Sequence, residues 1–142
     1  VAVKLLRKIV SETGCSIVIS STWRSKFCID FFKGLFAGLG YSPEDKWNEV
    51  PPIIGKTRVR FGELKDGTGK RGDQIQEYID DWQDNAMPES FGHGKITHYV
   101  ILDDDSDMLE KQLPHLVHTD TNVGLTYKDA EKAIDILRRV RY

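Results

Sequence analysis

The chain has 142 residues, 39% of them hydrophobic and 30% charged, with 20 Lys and Arg against 22 Asp and Glu for a formal net charge of -2. That length suits a single domain, residues 1–142, with a core of its own, and the composition excludes a disordered chain. No apolar run is long enough to cross a bilayer, and a globally basic nucleic-acid binder is excluded, although a local basic patch can hide inside the average.

Cys15 and Cys28 are the only cysteines and form no CxxC pair or disulfide framework, so a reducing, cytoplasmic setting is expected. Nothing at the N-terminus combines a basic start, an apolar stretch and a small-residue cleavage site. The sequence opens at Val1, without Met, inside a helical pattern, and further residues are expected upstream.

Val3, Leu6 and Val10, widened by Leu5 and Ile9, recur at helical spacing, and Gly14 closes that first helix. Ser16 to Ile19 is a short apolar run stopping at Ser20-Ser21-Thr22, as a buried parallel strand does. A second helix is predicted from a Ser25 cap to Gly40, with Phe27, Cys28, Phe31, Phe32, Leu35 and Leu39 on its apolar face. Residues 41–70, rich in Pro and Gly, read as a small insertion in which only Thr57 to Phe61 alternates like a strand. Asp73 to Gln83 is predicted helical, with Ile75, Tyr78, Ile79 and Trp82 on one side. Tyr99 to Leu102 reads as a second buried strand and Leu116 to Thr119 as a third. A final helix starts at Thr126, with Asp129 completing a capping box and Ala130, Ala133, Ile134 and Leu137 facing inward. Strands alternating with helices predict a Rossmann-like α/β fold, a parallel sheet covered on both faces.

Ligands of such sheets bind beyond the carboxyl ends of the strands. Three polar clusters qualify. Ser20-Ser21-Thr22, followed by Trp23 and Arg24, offers hydroxyls and N–H groups to phosphate oxygens; capping of the next helix is the plain alternative. The run LDDDSDM, residues 102–108, puts four carboxylates into five positions at the end of an apolar strand, where mutual repulsion invites a divalent cation. Mg²⁺ suits such oxygen donors. The alternative is a solvated acidic turn. Lys70-Arg71-Gly72 sets cationic side chains ahead of a helix N-terminus, which already attracts anions.

Taken together, ISSTWR, KRGDQIQEYI, YVILDDDSDM and HTDTNVGLTYKDAEKAIDIL resemble the haloacid dehalogenase (HAD) superfamily domains of bacterial and phage RNA-repair-type proteins. The resemblance covers nearly the whole chain except residues 41–69. It implies that Ser20, or its neighbour Ser21, binds the phosphoryl group, and that Lys70 or Arg71 stabilises negative charge on it. Asp103 and Asp104 would supply the metal motif, with Asp104 the first choice as Mg²⁺ ligand and Asp107 or Asp105 in support. Thr22 and Arg24 would contact the substrate. The implied activity is a Mg²⁺-dependent phosphomonoesterase working through an aspartyl-phosphate, acting on a nucleotide or a nucleic-acid end.

One departure stands out. HAD phosphatases carry a DxD motif on their central strand, supplying the nucleophile and a general acid and base, and no DxD follows an apolar strand before Ser20. Either the nucleophile lies upstream of residue 1, or the chain is a non-catalytic HAD-like binding or structural module.

Other features weigh less. Lys56, Arg58, Arg60, Lys65, Lys70 and Arg71 make the insertion basic, which suits a phosphate backbone or simply a solvated hairpin. His93, His98, His115 and His118 lack the cysteine partners of a zinc site. Trp82 and Cys28 are expected in the core, while Trp23 borders the site. Arg138, Arg139 and Arg141 complement a helix dipole.

Overall fold

The computed structural model describes residues 2–20, 28–38, 52–57, 71–84 and 95–142. Helix α1 spans Ala2–Thr13 and buries Leu5 and Ile9. It stops because Gly14 turns to φ 69° and donates its N–H to the Val10 carbonyl at 2.7 Å, a left-handed cap that costs glycine little. Two more carbonyls near its end accept side-chain donors. The Thr13 hydroxyl donates to Ile9 O at 2.7 Å, and Arg138 reaches across the fold to donate to Glu12 O at 3.3 Å.

Strand β1 (Ile17–Ile19) leads to helix α2 (Ile29–Gly38) and strand β2 (Ile53–Lys56). After helix α3 (Arg71–Asp84), strand β3 (Ile101–Asp103) precedes a 3-10 helix at Glu110–His115, strand β4 (Leu116–His118) and helix α4 (Tyr127–Arg139). Helix α4 starts at the predicted capping box: Thr126 Oγ1 accepts the Asp129 N–H at 3.2 Å, and Asp129 Oδ2 accepts the Thr126 N–H at 3.0 Å.

The described strands form two parallel pairs, β1 with β2 and β3 with β4. Leu102 sits opposite Val117 and Asp103 opposite His118. The β3–β4 pair is covered on both faces. On one side α1 and α4 contribute Leu5, Ile9, Ala130, Ala133 and Ile134 around Val117. On the other, Ile75 and Ile79 of α3 pack on Ile101 and Leu116. Ile9 and Val117 are almost wholly removed from water, which is worth about 2 kcal/mol of transfer free energy each. A separate cluster of Ile19, Phe32 and Ile53 joins β1, β2 and α2. This is the mixed α/β architecture that the alternation of elements predicts.

Four expectations change. A strand that was not anticipated lies at Ile53–Lys56, just before the run Thr57 to Phe61 where one is expected. There the Pro52 carbonyl accepts the Ile17 N–H at 2.7 Å and starts the ladder with β1. Part of the stretch read as an insertion therefore belongs to a sheet; residues 58–61 lie outside the described residues. Strand β3 begins two residues later than expected and takes in Asp103, because the β4 ladder continues through Thr119 N–H to Asp103 O at 2.9 Å. Cys28 is exposed rather than packed, since α2 begins one residue after it. Phe31, 39% exposed, meets the buried Phe32 edge-on.

Candidate functional site

Both strand pairs deliver a carboxyl end to the same place. Ser20 follows β1, Asp103 ends β3, and Arg71 opens α3 between them. Arg71 Nη1 donates to the Asp103 carboxylate at 3.1 Å and to the Ser20 carbonyl at 2.9 Å. One guanidinium thus joins three segments, 51 and 32 residues from it along the chain. Among the described residues these are the bonds its guanidinium makes, out of five N–H groups. The choice between Lys70 and Arg71 is informed by this contact: Arg71 points in, while Lys70 lies outside the described residues, as do Ser21, Thr22, Trp23 and Arg24.

The acidic run is ordered by its own alternate carboxylates. Asp103 Oδ1 accepts the Asp105 N–H at 2.9 Å, and Asp105 Oδ1 accepts the Asp107 N–H at 3.2 Å. Side chains that bond a backbone N–H two residues on build turns of this kind. Asp107 then caps α3: its Oδ2 accepts the Arg71 N–H at 3.3 Å and its carbonyl the Gly72 N–H at 2.9 Å. The helix N-terminus expected to attract an anion therefore already holds Asp107. Asp104, exposed, stands outside this ladder, and its carbonyl accepts from His118 Nε2 at 2.8 Å.

Burial raises the proton affinity of the Asp103 carboxyl above the usual carboxylate range, and the neighbouring Asp104 adds to the rise. The Asp105 N–H and the Arg71 charge oppose it. Carboxylate oxygen is the donor chemistry Mg²⁺ takes, and that ion commonly uses only one or two carboxylates and completes its shell with water and phosphate. Asp104 beside Asp103 fits such a partial set. Among the described residues no group of three His, Cys, Asp or Glu side chains is arranged to hold a metal. His115 and His118 are engaged elsewhere: His115 stacks on Tyr99 at 3.9 Å with Nδ1 2.9 Å from the Tyr99 carbonyl, and His118 serves Asp104. His93 lies outside the described residues.

Behind the polar groups a cavity of about 740 Å³ runs between the two strand pairs. Ile17 to Ser20 line one side and Tyr99 to Leu102 the other; Ile9 and Ile79 stand at its two faces. In β1, Ile17 and Ile19 exchange main-chain bonds with the β2 segment. The alternation of a parallel ladder therefore turns Val18 away from β2, and Leu102 away from β4, toward the cavity. Of the basic stretch only Lys56 and Arg71 are described, and Arg71 is engaged with Asp103 and the Ser20 carbonyl.

Sequence reasoning did not anticipate the capping role of Asp107, the Asp103-Asp105-Asp107 ladder or the buried Gln112 beneath it. The i, i+2 spacing of the aspartates is a visible signal for the ladder; nothing in the sequence marks Gln112.

The fold and site define a Rossmann-like α/β domain whose polar groups gather at the carboxyl ends of parallel strands. The chain belongs to the family described as the HAD domain in Swiss Army Knife RNA repair proteins, which matches residues 1–130. Comparison with curated proteins and with solved structures yields no match. No helix among the described residues is long and apolar enough to cross a membrane.

Proposed function

We propose that the protein is a Mg²⁺-dependent phosphomonoesterase of the HAD type, acting on a phosphorylated nucleotide or nucleic-acid end in a cytoplasmic setting. The observation that carries the reading is the meeting of Ser20, Arg71 and Asp103 on one guanidinium. A cation flanked by a strand-end carbonyl and a carboxylate is placed to steady a phosphoryl group. Arg71 would stabilise its charge, Ser20 and Ser21 would bind its oxygens, and Asp103 and Asp104 would hold Mg²⁺ with Asp107 in support. The bound ion would neutralise charge on the phosphoryl oxygens.

The nucleophile is expected upstream of residue 1. The cavity between β1 and β3 supports this expectation. It has a strand edge on either side, apolar helix faces above and below, and Ser20, whose carbonyl accepts from Arg71, in its lining. An apolar strand seated there would pair with both edges and bring its last residues to the site. In the reaction, an aspartate oxygen of that strand forms a bond to phosphorus as the ester P–O bond breaks. A second carboxylic acid protonates the departing alcohol. Water then cleaves the acyl phosphate, releasing inorganic phosphate and restoring the aspartate.

The test is phosphate release from 5′- and 3′-phosphorylated nucleotides and oligonucleotides by the full-length protein, with and without Mg²⁺. Release that needs the metal and drops at least a hundredfold in Asp104→Asn is expected, on the order of what loss of a key electrostatic group costs. No release from any of these substrates would favour the non-catalytic binding or structural module.

A further inference from the structure

Gln112 lies in the 3-10 helix between β3 and β4 with none of its surface exposed. Its side-chain hydrogen bonds are directed at the first turns of α3 and the end of the acidic loop. Its Nε2 donates to the Gly72 carbonyl at 2.9 Å and to Gln76 Oε1 at 3.2 Å. Its Oε1 accepts the Leu109 N–H at 3.0 Å. Gln76 is tied onward, donating to Asp80 at 2.9 Å.

Gly72 is therefore held from both ends, its N–H on the Asp107 carbonyl and its C=O on Gln112. It has no room for a side chain. A Cβ there would stand 2.6 Å from Leu109 N, 2.7 Å from Gln112 Oε1 and 2.8 Å from Met108 Cα. Arg71 precedes this clamped residue directly, and its own N–H rests on Asp107. The position of its guanidinium depends on where the first turn of α3 sits against the loop.

We propose that Gln112 is a positioning residue that sets Arg71 against Asp103 and Ser20 by locking the first turn of α3 to the loop after β3. The proposal rests on the reading of Arg71 as the phosphate-facing cation. A buried amide with its donors and acceptor all engaged is costly to disturb and specific in geometry. Gln112 touches no ligand and acts only through Arg71.

The experiment is a double-mutant cycle in the full-length protein. Gln112→Met keeps the side-chain length and removes every side-chain hydrogen bond; Gln112→Glu keeps the acceptor for Leu109 and loses the donor to Gly72. Binding of inorganic phosphate in the presence of Mg²⁺ is measured for each, alone and combined with Arg71→Ala. Gln112→Met should weaken phosphate about tenfold in the wild-type background and less than about twofold once Arg71 is gone, because coupled residues are not additive. Gln112→Glu should follow Gln112→Met.

A ligand-free readout accompanies it. In the ¹H–¹⁵N spectrum, the Arg71 guanidinium signal should be sharp and protected from water in the wild type and exchange-broadened in both Gln112 variants. An Arg71 signal unchanged in both variants, or a phosphate loss that persists in full without Arg71, would show that Gln112 serves the fold alone. Absence of phosphate binding by the wild type, or indifference of that binding to Arg71→Ala, would overturn the functional reading. The spectrum would still decide whether Gln112 holds Arg71.

Discussion

Arg71 and Asp103 are each other's counter-ion although they begin α3 and end β3, and the pair is largely shielded, with side chains 20% and 7% exposed. Loss of one partner leaves the other charged in a poorly hydrated place. Arg71→Ala should therefore destabilise the protein by about 2 kcal/mol, the scale of a charge-assisted hydrogen bond. Urea denaturation of Arg71→Ala, Asp103→Asn and the double variant measures this. The double variant should recover part of the loss, and strict additivity would contradict the pairing.

Two glycines in helices should respond in opposite directions to alanine. Gly72→Ala drives a Cβ against the Leu109 and Met108 backbone, and overpacking of this kind costs about 1–3 kcal/mol. Gly34, exposed on α2, has no atom of the described residues within 4 Å of where a Cβ would stand. Gly34→Ala should stabilise by about 0.5–1 kcal/mol through helix propensity. Urea midpoints of the two variants provide the comparison; equal shifts would mean that the clamp at Gly72 is looser than described.

The cysteines should differ in reactivity. Cys28 is exposed, whereas burial pushes the Cys15 thiol above the usual range. A raised pKa means less thiolate at a given pH, and thiolate is the nucleophile. At pH 8 iodoacetamide should label Cys28 well before Cys15, and the Cys15 rate should keep climbing into more alkaline solution. Cys15 also lines the cavity, so a strand seated there would slow its labelling further. Peptide mapping by mass spectrometry after timed quenching reads both sites, and faster labelling of Cys15 would refute the assignment.

Alkaline pH should weaken the fold through Tyr99. Burial moves its phenol from 10.0 to about 12, so the folded state resists forming phenolate while the unfolded chain does not. The stability linked to Tyr99 is intact below pH 10 and is lost as pH rises toward 12. Burial shifts Tyr78 in the same direction. Tyr99→Phe retains a ring to stack on His115 and should lose less stability between pH 9 and pH 11 than the wild type does. An equal fall in both would remove Tyr99 as the cause.

Local order was legible from the residues alone. Helix α1 with its Gly14 stop, the capping box of α4, the helical run from Asp73 to Gln83 and the apolar cores of β1, β3 and β4 all depend on spacings of a few residues. Those interactions form within one turn or one strand. The order of the three polar clusters along the chain was legible for the same reason. Sheet ends collect whatever follows an apolar run.

What lies between segments far apart in sequence was settled only by the packing. Arg71 faces Asp103 because α3 packs on β3 through Ile75, Ile79 and Ile101, a register that periodicity does not contain. Ile53–Lys56 is a strand because β1 offers it a ladder, and Cys28 is exposed because α2 begins just after it. Gln112 shows the point most directly: it is an ordinary polar residue in sequence, yet it ends wholly buried between α3 and the acidic loop. Hydrophobic period and capping chemistry act over a few residues, whereas burial and ion pairing depend on which distant surfaces the whole chain brings together.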